Sequence, residues 1–220
     1  MEIKNLFNEP SIIAIVGDVN EAKSNTIYSI IENLRLFGTF NLYVYGLKKE
    51  IDGAINIYSV NELEQIKNSI IFLDEVMTLW DLDNKMAKRQ IENTLRLIFH
   101  NNNILVISGL PENIKKFISS KITKVIYKKV TFEDFINGSS IKKNVLNYHG
   151  EERGTKVLNL DKSEAIIFDG THYYKINIPY LPKYDTKKEN PKIVKEKVKE
   201  KVNDEELEKQ RQEVEEEYYE

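Results

Sequence analysis

Five residues in two short stretches carry the chemistry this sequence has to offer. The first stretch, SIIAIVGDVNEAKSNTIYSII over residues 11–31, runs from β-formers into Gly17, through an acidic loop to Lys23 and Ser24, and on into a helical pattern. Holding a phosphate needs a buried strand that stops abruptly and a turn whose backbone N–H groups converge on an anion. It also needs a lysine for the terminal charges and a hydroxyl for a divalent cation. Gly17, Lys23 and Ser24 stand at those places with the spacing G-x-x-x-x-A-K-S. The second stretch, SIIFLDEV, delivers Asp74 and Glu75 to the end of an apolar run. Carboxylates at the mouth of a buried strand are costly unless a cation meets them, and Mg²⁺ on a nucleotide is the usual one. Alone, the first stretch is also what any strand, turn and helix with a solvated lysine would show. The second stretch gives it weight.

The elements that must position these residues follow from the pattern of apolar positions. Ile12 to Val16 reads as a fully buried strand, and Asn25 to Phe37 as a helix with Ile27, Ile30, Ile31 and Leu34 on one face. Phe40 to Tyr45, Ile70 to Leu73, Ile104 to Ile107 and Thr123 to Tyr127 read as further strands, with Ile55 to Tyr58 as a short extra one. Val60 to Lys67 reads as a short helix and Lys85 to Phe99 as a longer one with Ile91, Leu95 and Ile98 inward. Pro111 opens another, at the position proline tolerates best. This alternation predicts an α/β fold over residues 1–130, a mostly parallel sheet flanked by helices. The runs TKVLNL, AIIFDG and HYYKINI predict a small β-rich appendage over 131–182. Residues 183–220 are lysine-rich in their first half and glutamate-rich after Asp204, with few apolar positions. They read as a charged tail, linker or solvated helix, with a segment that docks a protein partner as the alternative.

Bulk composition narrows the function classes. The chain has 220 residues, 41% of them hydrophobic, with no cysteine and a net charge of -3. Thiol catalysis, disulfides and thiolate metal sites are excluded, and His100, His149 and His172 are too scattered to suggest a metal site. A molecule so nearly neutral is no polycation, so an electrostatic partner has to meet a local patch. The N-terminus lacks the pattern of a secretion signal and no window reaches the apolar length of a membrane span, so the expected location is cytoplasmic, without membrane contact.

The two motifs together resemble the Walker A and Walker B pair of P-loop ATPases, over roughly residues 11–130. The resemblance implies ATP and Mg²⁺ as cofactors, held by a loop of Gly17, Asn20, Glu21, Ala22, Lys23, Ser24 and Asn25. It implies that Lys23 contacts the β and γ phosphates, that Ser24 and Asp74 hold the metal, and that Glu75 polarises the attacking water. The Asp-Glu pair is similar to the group with an additional strand between the Walker A and Walker B strands, and Phe40 to Tyr45 falls in that sequence interval. Within that group, QIENTLRLIFHNNNILVISGLPENI resembles the segment of FtsK-HerA type DNA translocases and viral genome-packaging ATPases in which an arginine-bearing helix leads into strand four. Arg96 is then the candidate arginine finger acting on a neighbouring subunit, with Arg89 as its rival and a plain surface arginine as the bland reading. The sequence departs from the family pattern at three places. Ala22 replaces a glycine, Asp18 and Glu21 add negative charge, and Ser108-Gly109 occupies the turn where a polar sensor is usual.

The resemblance implies a homo-oligomeric ring, phage or mobile-element in character, that moves or packages double-stranded DNA without sequence specificity. Lys115, Lys116, Lys121, Lys124, Lys128, Lys129, Lys142 and Lys143 form a basic strip that a ring would repeat around a pore. On one subunit the same strip reads as a solvated face. The other function class is a non-hydrolysing nucleotide-binding module that docks a partner through its charged tail.

Overall fold

All six residues of β1 (Ser11–Val16) are buried, which a strand achieves only when both faces of its sheet are covered. The computed structural model describes residues 3–38, 40–75, 85–109, 118, 120–130 and 155–185. The helix expected from Pro111, Trp80, four of the eight strip lysines and the charged tail beyond residue 185 lie outside them. Besides β1, the described strands are β2 (Asn41–Tyr45), β3 (Ala54–Asn56), β4 (Ser69–Leu73), β5 (Ile104–Gly109), β6 (Lys124–Tyr127), β7 (Glu164–Phe168) and β8 (Tyr173–Asn177). Helices are α1 (Lys23–Arg35), α2 (Val60–Leu63) and α3 (Lys85–His100).

The strands form one sheet in the order β3-β2-β4-β5-β1-β6-β7-β8. Pairings from β3 to β6 are parallel, and β7 and β8 add on antiparallel beyond β6. Side chains alternate along β1, so Ile12, Ala14 and Val16 enter a core with Ile91, Leu95 and Ile98 of α3. Ile13 and Ile15 enter the opposite core with Ile27, Tyr28, Ile30, Ile31 and Leu34 of α1. Helices therefore cover both faces, as the apolar runs predict.

Three expectations are corrected. The strand between β1 and β4 is β5, not Phe40 to Tyr45, which forms β2 on the outer side of β4. TKVLNL is a 3-10 turn over Thr155–Asn159 rather than a strand; Val157 and Leu160 are its buried residues, three apart, a helical rather than an alternating interval. Helix α1 opens two residues before Asn25, because Ala22 C=O already accepts the Thr26 N–H at 2.8 Å. It ends at Arg35, before Gly38, whose φ is 66°.

The asparagine turn after α3 sets the register that builds the site. The Asn103 side chain is fully buried, accepts the Ser69 N–H at 3.0 Å and donates to Ile66 C=O at 2.7 Å. This fastens the start of β4 to the start of β5, and Leu73 then pairs with Ile107 at the far end. Asp74 and Ser108 follow directly, side by side.

Candidate active site

Between β1 and α1 the backbone twice enters the left-handed region, at Asn20 (φ 69°) and Ala22 (φ 59°). Such alternation turns successive N–H groups toward one point, the geometry of an anion nest. The first bond within α1 is made by Thr26, so the Ser24 and Asn25 amides have no acceptor inside the helix. Lys23 Nζ lies across the base of the turn, donating to Gly17 C=O at 2.9 Å and Asp18 C=O at 2.7 Å. A Cβ on Gly17 would fall 2.6 Å from Lys128 Cβ, so this glycine is required by close packing. Asp18 N–H donates to Lys129 C=O at 3.1 Å, which anchors the loop on the segment after β6.

Ala22 carries a side chain in a conformation that favours glycine. The left-handed penalty for an L-residue is about 1–2 kcal/mol, offset in part by the extra unfolded-state entropy of glycine. Ala22→Gly is expected to stabilise the protein by about 0.5–1 kcal/mol, measured by urea denaturation; a loss of stability would contradict the strained loop.

Asp74 is 4% exposed, and its neighbours explain how a carboxylate is tolerated there. The Ser108 hydroxyl donates to Asp74 Oδ1, and the Ser24 side chain is near enough to the Asp74 carboxylate to favour its charged form. Burial pushes the Asp74 pKa above its ordinary value, against these two hydroxyls, and the neighbouring Glu75 charge pushes it further up. Glu75 has a φ of 49° and donates its N–H to Ser108 Oγ at 3.1 Å. Ser108 thus joins both acidic residues. Gly46 (φ 78°) completes the site from β2, because a Cβ there would fall 2.6 Å from the Asp74 carbonyl oxygen.

A raised folded-state pKa means that Asp74 favours the fold fully below its unfolded value, and that this contribution is lost as pH rises through the folded one. Asp74→Asn is therefore expected to melt higher than the metal-free parent at neutral pH. The gap should close as pH falls toward the ordinary aspartate range. Melting curves in chelator check this, and a gap independent of pH would contradict it.

The structure brings together Gly17, Lys23, Ser24, Asp74 and Glu75, with Asn20, Glu21 and Ala22 in the connecting loop. Other expected residues fall differently. The Asn25 carboxamide is engaged by the Leu181 backbone, donating to its C=O and accepting from its N–H, both at 2.8 Å. Only the Asn25 backbone is left for a ligand at the loop. Arg89 and Arg96 are exposed on α3, seven residues apart on one stripe. No hydrogen bond or ion pair among the described residues ties either to the carboxylates. The basic strip is corrected: of its four described lysines, Lys121 and Lys129 are exposed, whereas Lys124 and Lys128 are buried. Both buried lysines share a strand parity with Ile126, which faces the α1-side core. Lys124 Nζ donates to Leu6 C=O at 3.0 Å, and Lys128 Nζ to Lys162 C=O at 2.7 Å and Glu164 C=O at 2.6 Å. Burial lowers the Lys128 pKa to about 8, while the Glu21 and Glu164 charges raise it. Glu21 thus has a cationic counterpart beside the loop.

Sequence reasoning placed Lys128 on a surface strip rather than beside the loop, and passed over Gly46. The only signal for Gly46 was a glycine directly after a strand, opposite nothing the sequence could name.

A lysine loop on β1, an acidic pair on β4 and the strand β5 between them, on a mostly parallel sheet covered by helices, give the chain the fold of P-loop NTPases. No protein-family model matches the sequence, and no curated protein matches it. Among solved structures, the chain is similar to the genome packaging NTPase B204 from Sulfolobus turreted icosahedral virus 2 in complex with ATP-gammaS. That match has 14% identity and a TM-score of 0.61, covering 79% of this chain and 100% of that one. It is also similar to the pCW3 conjugation coupling protein TcpA with ATPgS, at 15% identity and TM-score 0.56, covering 83% of this chain and 63% of that one. The cytoplasmic domain of EssC is a third, at 14% identity and TM-score 0.52, with 80% and 40% covered. At these identities the likeness is one of fold.

Proposed function

We propose that the chain binds ATP with Mg²⁺ and hydrolyses it within a homo-oligomeric ring that moves or packages double-stranded DNA, in the cytoplasm, without reading its sequence. The observation that carries this reading is the Ser24–Asp74–Ser108 network beside the Lys23 loop. A buried carboxylate flanked by two hydroxyls fits Mg²⁺, which takes one or two protein oxygens and completes its shell with phosphate and water. Ser24 and Asp74 would hold the ion, whose charge when bound would draw electrons from the β and γ phosphates. Lys23 moves from the Gly17 and Asp18 carbonyls to the terminal phosphates. The Ser24 and Asn25 amides receive the inner phosphate oxygens. Glu75, held by Ser108, accepts a proton from the attacking water.

DNA as the cargo is supported by two structural neighbours, a genome packaging NTPase and a conjugation coupling protein. One observation favours the second reading, a nucleotide-binding module whose charged tail docks a protein. Half of the described strip lysines are buried, so the phosphate-tracking surface is thinner than the sequence suggests. ATP turnover with and without double-stranded DNA separates the two. Stimulation that is equal for unrelated DNA sequences and declines with added salt is the motor result. Turnover indifferent to DNA favours the module.

A further inference from the structure

We infer that Lys128 is a positioning residue of the phosphate loop: its ammonium, fixed at the start of β7, draws the Glu21 carboxylate away from the ligand and offsets its charge. A loop that carries acids can then take a triphosphate. This rests on the nucleotide reading above. Asp18 and Glu21 put two carboxylates in a turn meant for anions, where they would repel the ligand. A cation close to the loop changes that balance.

The backbone sets Lys128 against the base of the loop. Its N–H donates to Val16 C=O at 2.7 Å, and the Asp18 N–H donates to Lys129 C=O at 3.1 Å, so residues 128 and 129 continue the β1–β6 pairing alongside Gly17. The approach is close enough that a Cβ on Gly17 would fall 2.6 Å from Lys128 Cβ. The Lys128 side chain shares the parity of Ile126, on the face of the sheet that α1 covers. Glu21 lies two residues before α1, where the loop passes onto that face.

The ammonium is held in place. Lys128 is 1% exposed, and its Nζ donates to Lys162 C=O at 2.7 Å and Glu164 C=O at 2.6 Å. Two carbonyls orient a buried ammonium but do not supply a counter-charge. The charges acting on it are Glu21 from the loop and Glu164 from β7. Glu164 also pairs with Lys175 of β8 at 2.6 Å, so it divides its charge between two lysines and Glu21 supplies the rest. Burial, which lowers the Lys128 pKa to about 8, gives the pair a signature. The offset is present while Lys128 holds its proton and is lost as pH rises through that value.

The test is calorimetric titration of inorganic triphosphate and of ATP, each with Mg²⁺, into the full chain, Lys128→Met, Glu21→Gln, the double variant and Lys23→Ala. Lys128→Met should lose about tenfold for both ligands near pH 7 and less than about threefold near pH 9, where most of the parent lysine has itself given up its proton. The double variant should return to within about threefold of the parent, because losing the ammonium is costly only while Glu21 is charged. Glu21→Gln alone should bind about threefold more tightly than the parent, and its affinity should begin to fall at a lower pH. The inference is overturned if Lys128→Met binds like the parent, or if its loss is equal near pH 7 and pH 9. A loss as large in the Glu21→Gln background overturns it too, since a purely structural lysine would give that result. Should Lys128→Met fail to fold, Glu21→Gln decides alone, and binding no tighter than the parent with an unchanged pH profile overturns the inference. An unchanged Lys23→Ala removes the phosphate-loop reading and this inference with it, whereas a silent Lys128→Met removes this inference alone.

Discussion

Arg96→Ala leaves ATP affinity nearly intact and lowers turnover by about 10³- to 10⁵-fold, the range for a guanidinium that acts only on the transition state. Arg96 is exposed on α3, where a ring would present it to the neighbouring subunit. Mixing Arg96→Ala with Lys23→Ala subunits then restores part of the activity. Some interfaces in the mixed ring pair an intact loop from one subunit with an intact arginine from the next. Turnover that shows no rescue at any mixing ratio, and no dependence on protein concentration, would contradict a site completed between subunits. The same mixture made with Arg89→Ala decides which arginine of the stripe is used.

Glu75→Gln retains nucleotide and loses turnover by about 10²- to 10⁴-fold, because an amide keeps the shape of the side chain but cannot accept the proton of the attacking water. Its backbone tether to Ser108 is unaffected by the exchange, so the fold around Asp74 should persist. Asp74→Asn should instead weaken Mg²⁺-dependent binding. Single-turnover measurement of bound ATP separates the two effects. Equal activity in both variants would reduce the acidic pair to a polar strand ending.

The parts of the fold that were legible in the sequence are those in which burial leaves an unbroken apolar run. Ile12–Val16, Ile70–Leu73 and Ile104–Ile107 read correctly as strands because a parallel sheet covered on both faces admits no polar alternation. Asp74 and Glu75 were legible as a strand ending because they directly follow an apolar run, and Lys23 and Ser24 as a helix start because a short polar loop separates them from another. Strand order was not. Nothing local to Phe40–Tyr45 states that it lies outside β4 rather than between β4 and β1. Lys124 and Lys128 looked like surface charge, yet a lysine stem can be buried when its ammonium finds backbone carbonyls, and those belong to residues far along the chain. The Asn25–Leu181 exchange spans 156 residues, a distance over which one sequence gives no pairing signal. TKVLNL failed for a local reason, since so short an apolar-polar run fits a 3-10 turn as well as a strand.

The left-handed residues show a different limit. Asn20, Ala22 and Glu75 all have positive φ, but only Asn20 is a type that advertises it. Strained non-glycine residues at both the loop and the acidic pair are consistent with sites where function, rather than stability, sets the backbone.

Isothermal titration of ATP with Mg²⁺ into the parent protein and Lys23→Ala shows whether the loop from Gly17 to Ser24 binds the phosphates of ATP. Lys23 Nζ rests on the Gly17 and Asp18 carbonyls, contacts that a terminal phosphate would replace. Lys23→Ala is expected to stay folded and to bind ATP at least about tenfold more weakly, a loss of about 1.4 kcal/mol or more. ATP affinity equal in the two proteins would contradict it.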